Sequence, residues 1–368
     1  MKKNILNEFK GLTKRNYKSI RNSLFLSIYG KVKLSKTPPL TKIKIIKFNS
    51  RNDFSKYNYK FFEIENGKVF TDNTENVSII SRNILLDKFS FQQIKGKLVS
   101  SIKNQILQTG TPKLLKKVKG NVAVLAQGAS GYNNYAHYLF DIMPKLKLLS
   151  LSTDLKKIDF FYFSKLNKYQ KEILKFFDIN ERKILDSNKF RYVQSDNIIG
   201  VTHPNYTKGT ISEAHSKMPS WIIYFLRKKF LNNQKLNKKF DKIFIDRSDS
   251  KLTHCKLINN NEVKSFLKLN GFKIIKLSNL SFKKQINIFR NAKVIIGPHG
   301  AGFANLVFCM KKTKVLEIIP SNHPNKVYQR ISKINQLKYT KLKIRKINSN
   351  KNGDMFLKKF FFKKLLKF

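Results

Sequence analysis

From Lys242 onward, short apolar runs alternate with stretches whose apolar positions recur every three or four residues. The runs at Lys242–Ile245, Phe272–Leu277, Val294–Ile296 and Val315–Ile319 predict buried strands. Between them, Asn261–Leu269 predicts a helix stopped at Gly271, and a second helix starts from Ser281 as N-cap and runs to Phe289. A tight turn, Gly297–Gly302, precedes a further helical start at Phe303–Phe308. Alternation of this kind predicts a parallel, doubly wound α/β sheet, in which ligands sit outside the carboxyl ends of the strands. Arg247, the 297–302 turn and Pro320 then share one edge, with Glu317 just before it.

The first half carries a weaker pattern. Lys42–Phe48, Val77–Ile80, Asn121–Leu125, Phe160–Phe163 and Ile198–Val201 read as strands. Asn134–Leu149 reads as a helix with Tyr138, Leu139, Ile142, Leu146 and Leu149 at helical spacing, kinked or ended early by Pro144. Ser220–Leu231 reads as a helix leading into the polar linker Asn232–Lys239. The expected organisation is a basic, irregular segment at 1–40, an N-terminal domain at 41–232, a C-terminal domain at 241–345 and a basic tail at 346–368. In that tail Leu357, Phe361, Leu365 and Phe368 form one stripe among lysines, the pattern of a segment that lies on an anionic membrane surface, or of a cationic tail that packs on its own protein or is left disordered.

Composition changes this picture little. A chain of 368 residues with 41% hydrophobic content is globular and long enough for two domains. The 75 basic residues against 22 acidic ones give a net charge of +53. They are mostly Lys and scattered, and the abundance of Asn, Ile and Phe beside them matches an A/T-rich coding bias. Such charge favours acidic partners, yet no helix-turn-helix, zinc or RNA-binding signature is present, so no specific nucleic-acid role follows. Two cysteines, Cys255 and Cys309, make neither a disulfide framework nor a metal-ligand spacing, which predicts a reducing, cytoplasmic setting. No apolar run approaches the roughly 20 residues that span a bilayer.

Three patches carry chemistry. In Asn134–Leu146, His137 and Asp141 are four residues apart and share a helix face, as an activated base and its partner do. In Lys242–Val263, Arg247 ends a strand where a guanidinium can hold a diphosphate, and Lys256 adds point charge. In Lys293–Cys309, the turn Gly297-Pro298-His299-Gly300-Ala301-Gly302 sets unpaired helix N–H groups and one titratable side chain, His299, beside a ligand site suited to phosphate.

These patches, in this order, resemble glycosyltransferase family 61. The first family motif is met by Asn134, Tyr135, His137, Leu139, Asp141, Pro144 and Leu146. The second is met in part by Arg247, Lys256 and Asn259, and the third by Gly297–Gly302, Asn305, Leu306 and Phe308, followed by Val315–Ile318. The resemblance covers about residues 120–320. It implies a GT-B fold: two Rossmann-like doubly wound domains facing a central cleft, donor in the C-terminal one and acceptor mainly on the N-terminal one. It also implies inverting transfer from a nucleotide-diphosphate sugar, a UDP-sugar by expectation, without a metal cofactor. The acceptor would be a glycan or lipid-linked glycan in cell-surface polysaccharide synthesis, capsule or lipopolysaccharide, with the enzyme peripheral on the inner face of the membrane. The absence of any Asp-x-Asp, the usual Mn²⁺ or Mg²⁺ anchor, agrees.

On this reading Asp141 and His137 are the catalytic pair, the base open between them with Asp141 favoured. Arg247, Lys256, His299, Gly300, Ala301, Gly302, Asn305 and Glu317 bind the donor. The chain departs from the family at Tyr138 (Trp is usual), Lys145 (Arg), Asp246 (Ser), Lys256 (Arg) and Asn260 (Glu). Those departures keep a second reading open, a nucleotide-sugar-binding module without activity.

Overall fold

The structure, a computed structural model, describes residues 2–35, 39–46, 58–72, 76–90, 92–94, 97–126, 134–205, 210–232, 240–250, 254–345 and 353–368. Residues 233–239 of the expected linker, 346–352 of the expected tail and the last two residues of the expected strand Lys42–Phe48 lie outside them.

The chain opens with α1 (Lys2–Tyr29), which corrects the expectation of an irregular basic segment. The helix ends where Gly30 takes a positive φ of 77° and its N–H donates to the Leu26 carbonyl at 2.8 Å, a C-terminal glycine stop. Among the described residues the first sheet has ten strands: β1 (Lys33–Ser35), β2 (Thr41–Ile45), β3 (Lys60–Glu65), β4 (Lys68–Thr71), β5 (Val77–Ser81), β6 (Ile84–Leu86), β9 (Leu115–Val124), β10 (Phe160–Phe163), β11 (Ile184–Asp186) and β12 (Tyr192–Val201). The short strands β7 (Gln92–Ile94) and β8 (Lys97–Val99) pair separately.

This first sheet is mixed, which corrects the doubly wound reading of the N-terminal half. Strands β12, β9, β10 and β11 are parallel neighbours, while β3 and β4 run antiparallel to β12, and β5 runs antiparallel to both β4 and β6. The reason lies in the connections. Strands β3 and β4 run end to end along β12, broken at Asn66 and Gly67, while only residues 72–76 separate β4 from β5 and only Arg82 and Asn83 separate β5 from β6, whereas a parallel crossover needs about a dozen residues.

The second sheet follows the sequence expectation closely. Strands β13 (Lys242–Asp246), β14 (Lys273–Lys276), β15 (Val294–Pro298), β16 (Lys314–Pro320) and β17 (Lys338–Ile344) are all parallel, in the order β14-β13-β15-β16-β17. Helices at Asn260–Leu269, Phe282–Asn291 and Val327–Ile334 connect them, and Ser281 caps the second by accepting from the Lys284 N–H. The expected helical start after the glycine turn is a 3₁₀-helix, Ala301–Phe308.

The two halves share one buried core. Phe230 from the helix Ser220–Leu231 meets Phe282 and Phe308 edge-on at ring separations of 5.0 and 6.0 Å, and Phe176 meets Phe282 at 5.9 Å. The guanidinium of Arg227 donates to the carbonyls of Val307 and Cys309, each at 2.7 Å, closing the same seam.

At the other end the tail turns inward. Leu357 and Leu365 are fully buried, with Met355 and Phe362, against Val263 and Leu267 of the helix Asn260–Leu269. The Asn259 side chain clamps Leu357, donating to its carbonyl and accepting from its N–H at 2.9 and 3.0 Å. Of the readings open for the stripe, packing on the protein's own core is the one found, and the helical part is a 3₁₀ segment, Lys359–Leu365.

Candidate functional site

In the strand order of the second sheet, the chain reverses direction between β13 and β15, the position where open α/β sheets leave a crevice for ligands. Arg247 and His299 follow those two strands directly. The Arg247 guanidinium donates to the His299 carbonyl, and more weakly to that of Cys255 at 3.4 Å and the Ser250 hydroxyl at 3.3 Å. Burial pulls its pKa below the usual arginine value.

The glycines serve this packing. A Cβ at Gly300 would collide with the Arg247 guanidinium, and one at Gly302 would sit 2.6 Å from Leu277. Gly300 caps the 3₁₀-helix, so the N–H groups of half-buried Ala301 and Gly302 have no acceptor within it. His299 is buried, and its Nδ1 pairs with one oxygen of Glu317, itself 1% exposed. The other Glu317 oxygen accepts from the Tyr339 hydroxyl. Burial first, and then the Glu317 charge, push Tyr339 far above the usual tyrosine range. Tyr328 donates to the Gly300 carbonyl at 2.7 Å. The His323 ring lies 4.2 Å from that of His299, and burial with the neighbouring His299 lowers its pKa to about 4. His254 feels the charges of Arg247 and His299, and its pKa is lowered chiefly by burial. A cleft of about 350 Å³ opens here, lined in part by Pro320, His323, Lys326, Lys341 and Lys343.

The second cluster is built on the helix carrying His137. Its first turn, Tyr135–His137, is capped by the Asn134 side chain. A π-turn at Tyr138–Ile142 follows, then the α-helix Met143–Ser150. Pro144 has no N–H to give the Phe140 carbonyl, which accepts instead from the Asn205 side chain at 3.4 Å. The π-turn leaves Asp141 pointing into the protein, 2% exposed. One Asp141 oxygen meets His137 Nδ1 at 2.8 Å. The other meets His215 Nε2 at 2.8 Å and accepts from Asn205 Nδ2 at 2.9 Å, with His203 Nε2 at 4.0 Å. Burial alone would raise this carboxyl, but the charges and hydrogen bonds of His215 and His137 outweigh it and hold Asp141 well below the carboxylate range. Burial drives His203 down to about 3 and Lys145 down to about 7, each partly opposed by Asp141. His137, with a side chain 17% exposed, uses Nδ1 on Asp141, which leaves Nε2 on the far side of its ring.

The clusters share a wall. The Tyr135–His137 turn packs on the Ala301–Phe308 helix, and the Tyr135 hydroxyl donates to Asn305 Oδ1 at 2.5 Å. The helix Ile211–Ser216, which carries His215, packs on Val327–Ile334, which carries Tyr328.

Of the expected residues, the structure brings His137 and Asp141 together in one cluster and Arg247, His299, Gly300, Ala301, Gly302 and Glu317 in the other. Glu317 acts on the site through His299 rather than by facing the crevice. Asn305, expected to contact a ligand, is wholly buried and ties Tyr135 to Gln285 and the Gly302 carbonyl. Lys256 is exposed, its backbone N–H donating to Asp354 at 3.0 Å, and no described contact joins its side chain to the cluster.

Sequence reasoning missed His203, Asn205, His215, His254, His323, Tyr328 and Tyr339. One signal was available. The chain has only six histidines; His137, His203 and His215 gather around Asp141 and His299 and His323 beside Glu317, while exposed His254 feels the charges of Arg247 and His299.

His137, Asp141 and His215 also present ligand atoms within 4.8 Å of one another, a donor set that a transition metal accepts. Here both ring nitrogens are aimed at carboxylate oxygens at hydrogen-bond distance, so a metal would require the rings to turn away from Asp141.

Residues 135–316 match the family model described as Glycosyltransferase 61. A beta-1,2-xylosyltransferase, RCN11, of Oryza sativa subsp. japonica is 39% identical over 62 residues, 17% of this chain. The match spans 12% of that relative's length. Among solved structures, a dodecameric iron-containing heptosyltransferase, TibC, in complex with ADP-D-beta-D-heptose aligns over 78% of this chain and 82% of its own, at 11% identity and a TM-score of 0.29.

Proposed function

Taking as premise that the chain belongs to glycosyltransferase family 61 through residues 135–316, we propose that it transfers a sugar, with inversion, from a nucleotide-diphosphate donor to a hydroxyl of a glycan or glycolipid. The donor is a UDP-sugar on this reading, and the product serves cell-surface polysaccharide synthesis on the cytoplasmic side. The observation that carries the proposal is the pairing of a histidine with a buried carboxylate in each of two clusters on one shared wall, His137 with Asp141 and His299 with Glu317.

The reaction is a single displacement. His137 Nε2 takes the proton from the acceptor hydroxyl as its oxygen attacks the anomeric carbon, and the bond from that carbon to the diphosphate breaks. Asp141, inaccessible and with both oxygens engaged, holds the ring through Nδ1 and stabilises the imidazolium that forms. This reverses the preference for Asp141 as base. The departing diphosphate is met by the Arg247 side, by His299 and by the N–H groups of Ala301 and Gly302, while Lys326, Lys341 and Lys343 make the adjoining cleft positive. No metal is needed to balance that charge, and the halves work as in a GT-B enzyme, donor on the second sheet and acceptor on the first.

The departures from the family support activity rather than its loss. Tyr138 is fully buried, with its hydroxyl towards the Gln170 carbonyl at 3.4 Å, so its replacement of Trp is a matter of packing. Asn260 bonds Asp246 at 2.8 Å, one neutral group satisfying the carboxylate that stands where Ser is usual.

The test is nucleotide release from UDP-, GDP- and CDP-sugars by the native chain and by His137→Ala, Asp141→Asn and His299→Ala. Full activity in all three variants sinks the site assignment. Nucleotide binding without transfer by the native chain favours the silent binding module.

A further inference from the structure

We propose that α1 is a docking device for an anionic phospholipid bilayer, a role independent of the chemistry above. The helix is fixed to the body through its last turns. Tyr29 accepts from the Leu115 N–H at 3.1 Å through its hydroxyl and from the Asn83 side chain at 2.9 Å through its carbonyl, and its ring meets Tyr192 edge-on at 5.4 Å. Phe25 and Leu26 are half-buried on the same side.

Away from that anchor the helix stands in solvent. Residues 12–20 are all exposed. Tyr17, Ile20, Leu24 and Ile28 recur every three or four residues and form one line along the helix, 68, 71, 57 and 58% exposed. Four large apolar side chains in line are an uncovered face, unlike scattered surface apolar residues.

Charge selects the occupant. Lys14, Lys18 and Arg21 run along one flank of the line, with Arg15 beyond them, and Ser19, Ser23 and Ser27 along the other. Residues 12–29 contain no Asp or Glu. A second copy of the helix laid against the first would bring these cations together. An anionic lipid surface instead takes the apolar line into the acyl boundary while the lysines and arginines reach the headgroups. The C-terminal stripe cannot serve this purpose, since Leu357 and Leu365 are already buried in the protein.

The experiment is co-sedimentation of the full chain with phosphatidylcholine vesicles, with and without phosphatidylglycerol. Binding is expected to the anionic vesicles alone and to be released by salt. Ile20→Ser/Leu24→Ser is expected to abolish it. Lys14→Glu/Lys18→Glu is expected to weaken it by roughly twenty-five-fold or more, about fivefold for each of the two positive charges removed. Thermal unfolding of both variants should match the native chain, because these side chains are exposed. Equal vesicle binding by native chain and variants overturns the proposal. So does a concentration-dependent dimer that Ile20→Ser/Leu24→Ser abolishes in a chain that ignores vesicles, which would assign the line to a second copy.

Discussion

Asp141→Asn tests the division of labour between Asp141 and His137. The carboxylate sits 2.8 Å from ring nitrogens of both His137 and His215, and 2.9 Å from the Asn205 amide. An asparagine keeps the volume but offers one acceptor oxygen in place of two, so its NH₂ must face a group that now donates. If that group is His137, the ring is driven to the other tautomer, with its proton on the nitrogen that should receive one. The corresponding change in serine-protease triads lowers kcat by roughly ten-thousandfold, which corresponds to about 5 kcal/mol of transition-state stabilisation. A loss of roughly a thousandfold to ten-thousandfold in kcat, with little change in KM for the donor, is therefore expected. His137→Ala should cost at least as much, and the double variant no more than His137→Ala alone, because residues that act as a unit are not additive. Single-turnover release of nucleotide from the cognate sugar donor measures all three. The reasoning is refuted if Asp141→Asn is markedly more damaging than His137→Ala, for that ordering makes the carboxylate the base. Stability gives an independent reading. Asp141 titrates below its unfolded value near 3.9, so its contribution is present above about pH 4 and is lost as pH falls through the lower folded value.

Other expectations follow from the same structure. Gly300→Ala drives a Cβ into the Arg247 guanidinium, and should cost about 1–3 kcal/mol in denaturant unfolding and raise the donor KM. Leu365→Ala empties a fully buried position under the tail, and should lower stability by about 2–5 kcal/mol in the same assay without changing vesicle binding. His203 and His323 titrate near 3 and 4 against an ordinary 6.5, so the unfolded chain binds protons that the folded chain refuses. Stability should then be insensitive to them above pH 6.5 and fall by about 1 kcal/mol per pH unit for each between 6.5 and 4, a slope that His203→Asn reduces in urea titrations. Exhaustive chelation should leave transfer activity unchanged, and restoration of lost activity by a divalent ion would assign His137, Asp141 and His215 to a metal instead.

The second sheet was legible because each of its units repeats one signal, an apolar strand followed by a helix with a cap or a glycine stop, as at Ser281 and Gly271. The first sheet was not, because the reversals from β4 to β5 and from β5 to β6, the latter through only Arg82-Asn83, leave no room for the helices that would betray strand direction. Helix α1 went unread because its apolar residues stand among Asn, Ser and Thr, which favour turns as readily as helices. At the site, spacing within a motif located His137, Asp141 and His299 but said nothing about which way a side chain points. Asn305 and Glu317 were therefore placed against a ligand when both lie behind the wall. His203, Asn205 and His215 come from segments more than sixty residues downstream of Asp141, which only the packing of Ile211–Ser216 against its neighbours brings home.

Two clusters of one design can serve opposite ends of a displacement because their surroundings differ in charge. In each, a buried carboxylate takes a histidine by Nδ1, Asp141 with His137 and Glu317 with His299. Around Asp141, His203 titrates near 3 and Asn205 carries no charge, while Lys145, near 7, is about half protonated at physiological pH and His215 shares the carboxylate at 2.8 Å. A proton arriving at His137 is stabilised by the carboxylate behind it, which is what a base requires. Around Glu317 the balance is reversed. Arg247 lies against the His299 carbonyl, Tyr339 is held protonated and donates to the carboxylate, and Lys341 with Lys326 and Lys343 lines the adjoining cleft. The carboxylate there is outnumbered by cations, so an approaching diphosphate meets attraction rather than repulsion. The same wall that joins the clusters, Tyr135 on Asn305, keeps the proton acceptor and the anion site in register, so the bond made at the sugar and the bond broken to the diphosphate can be served at once.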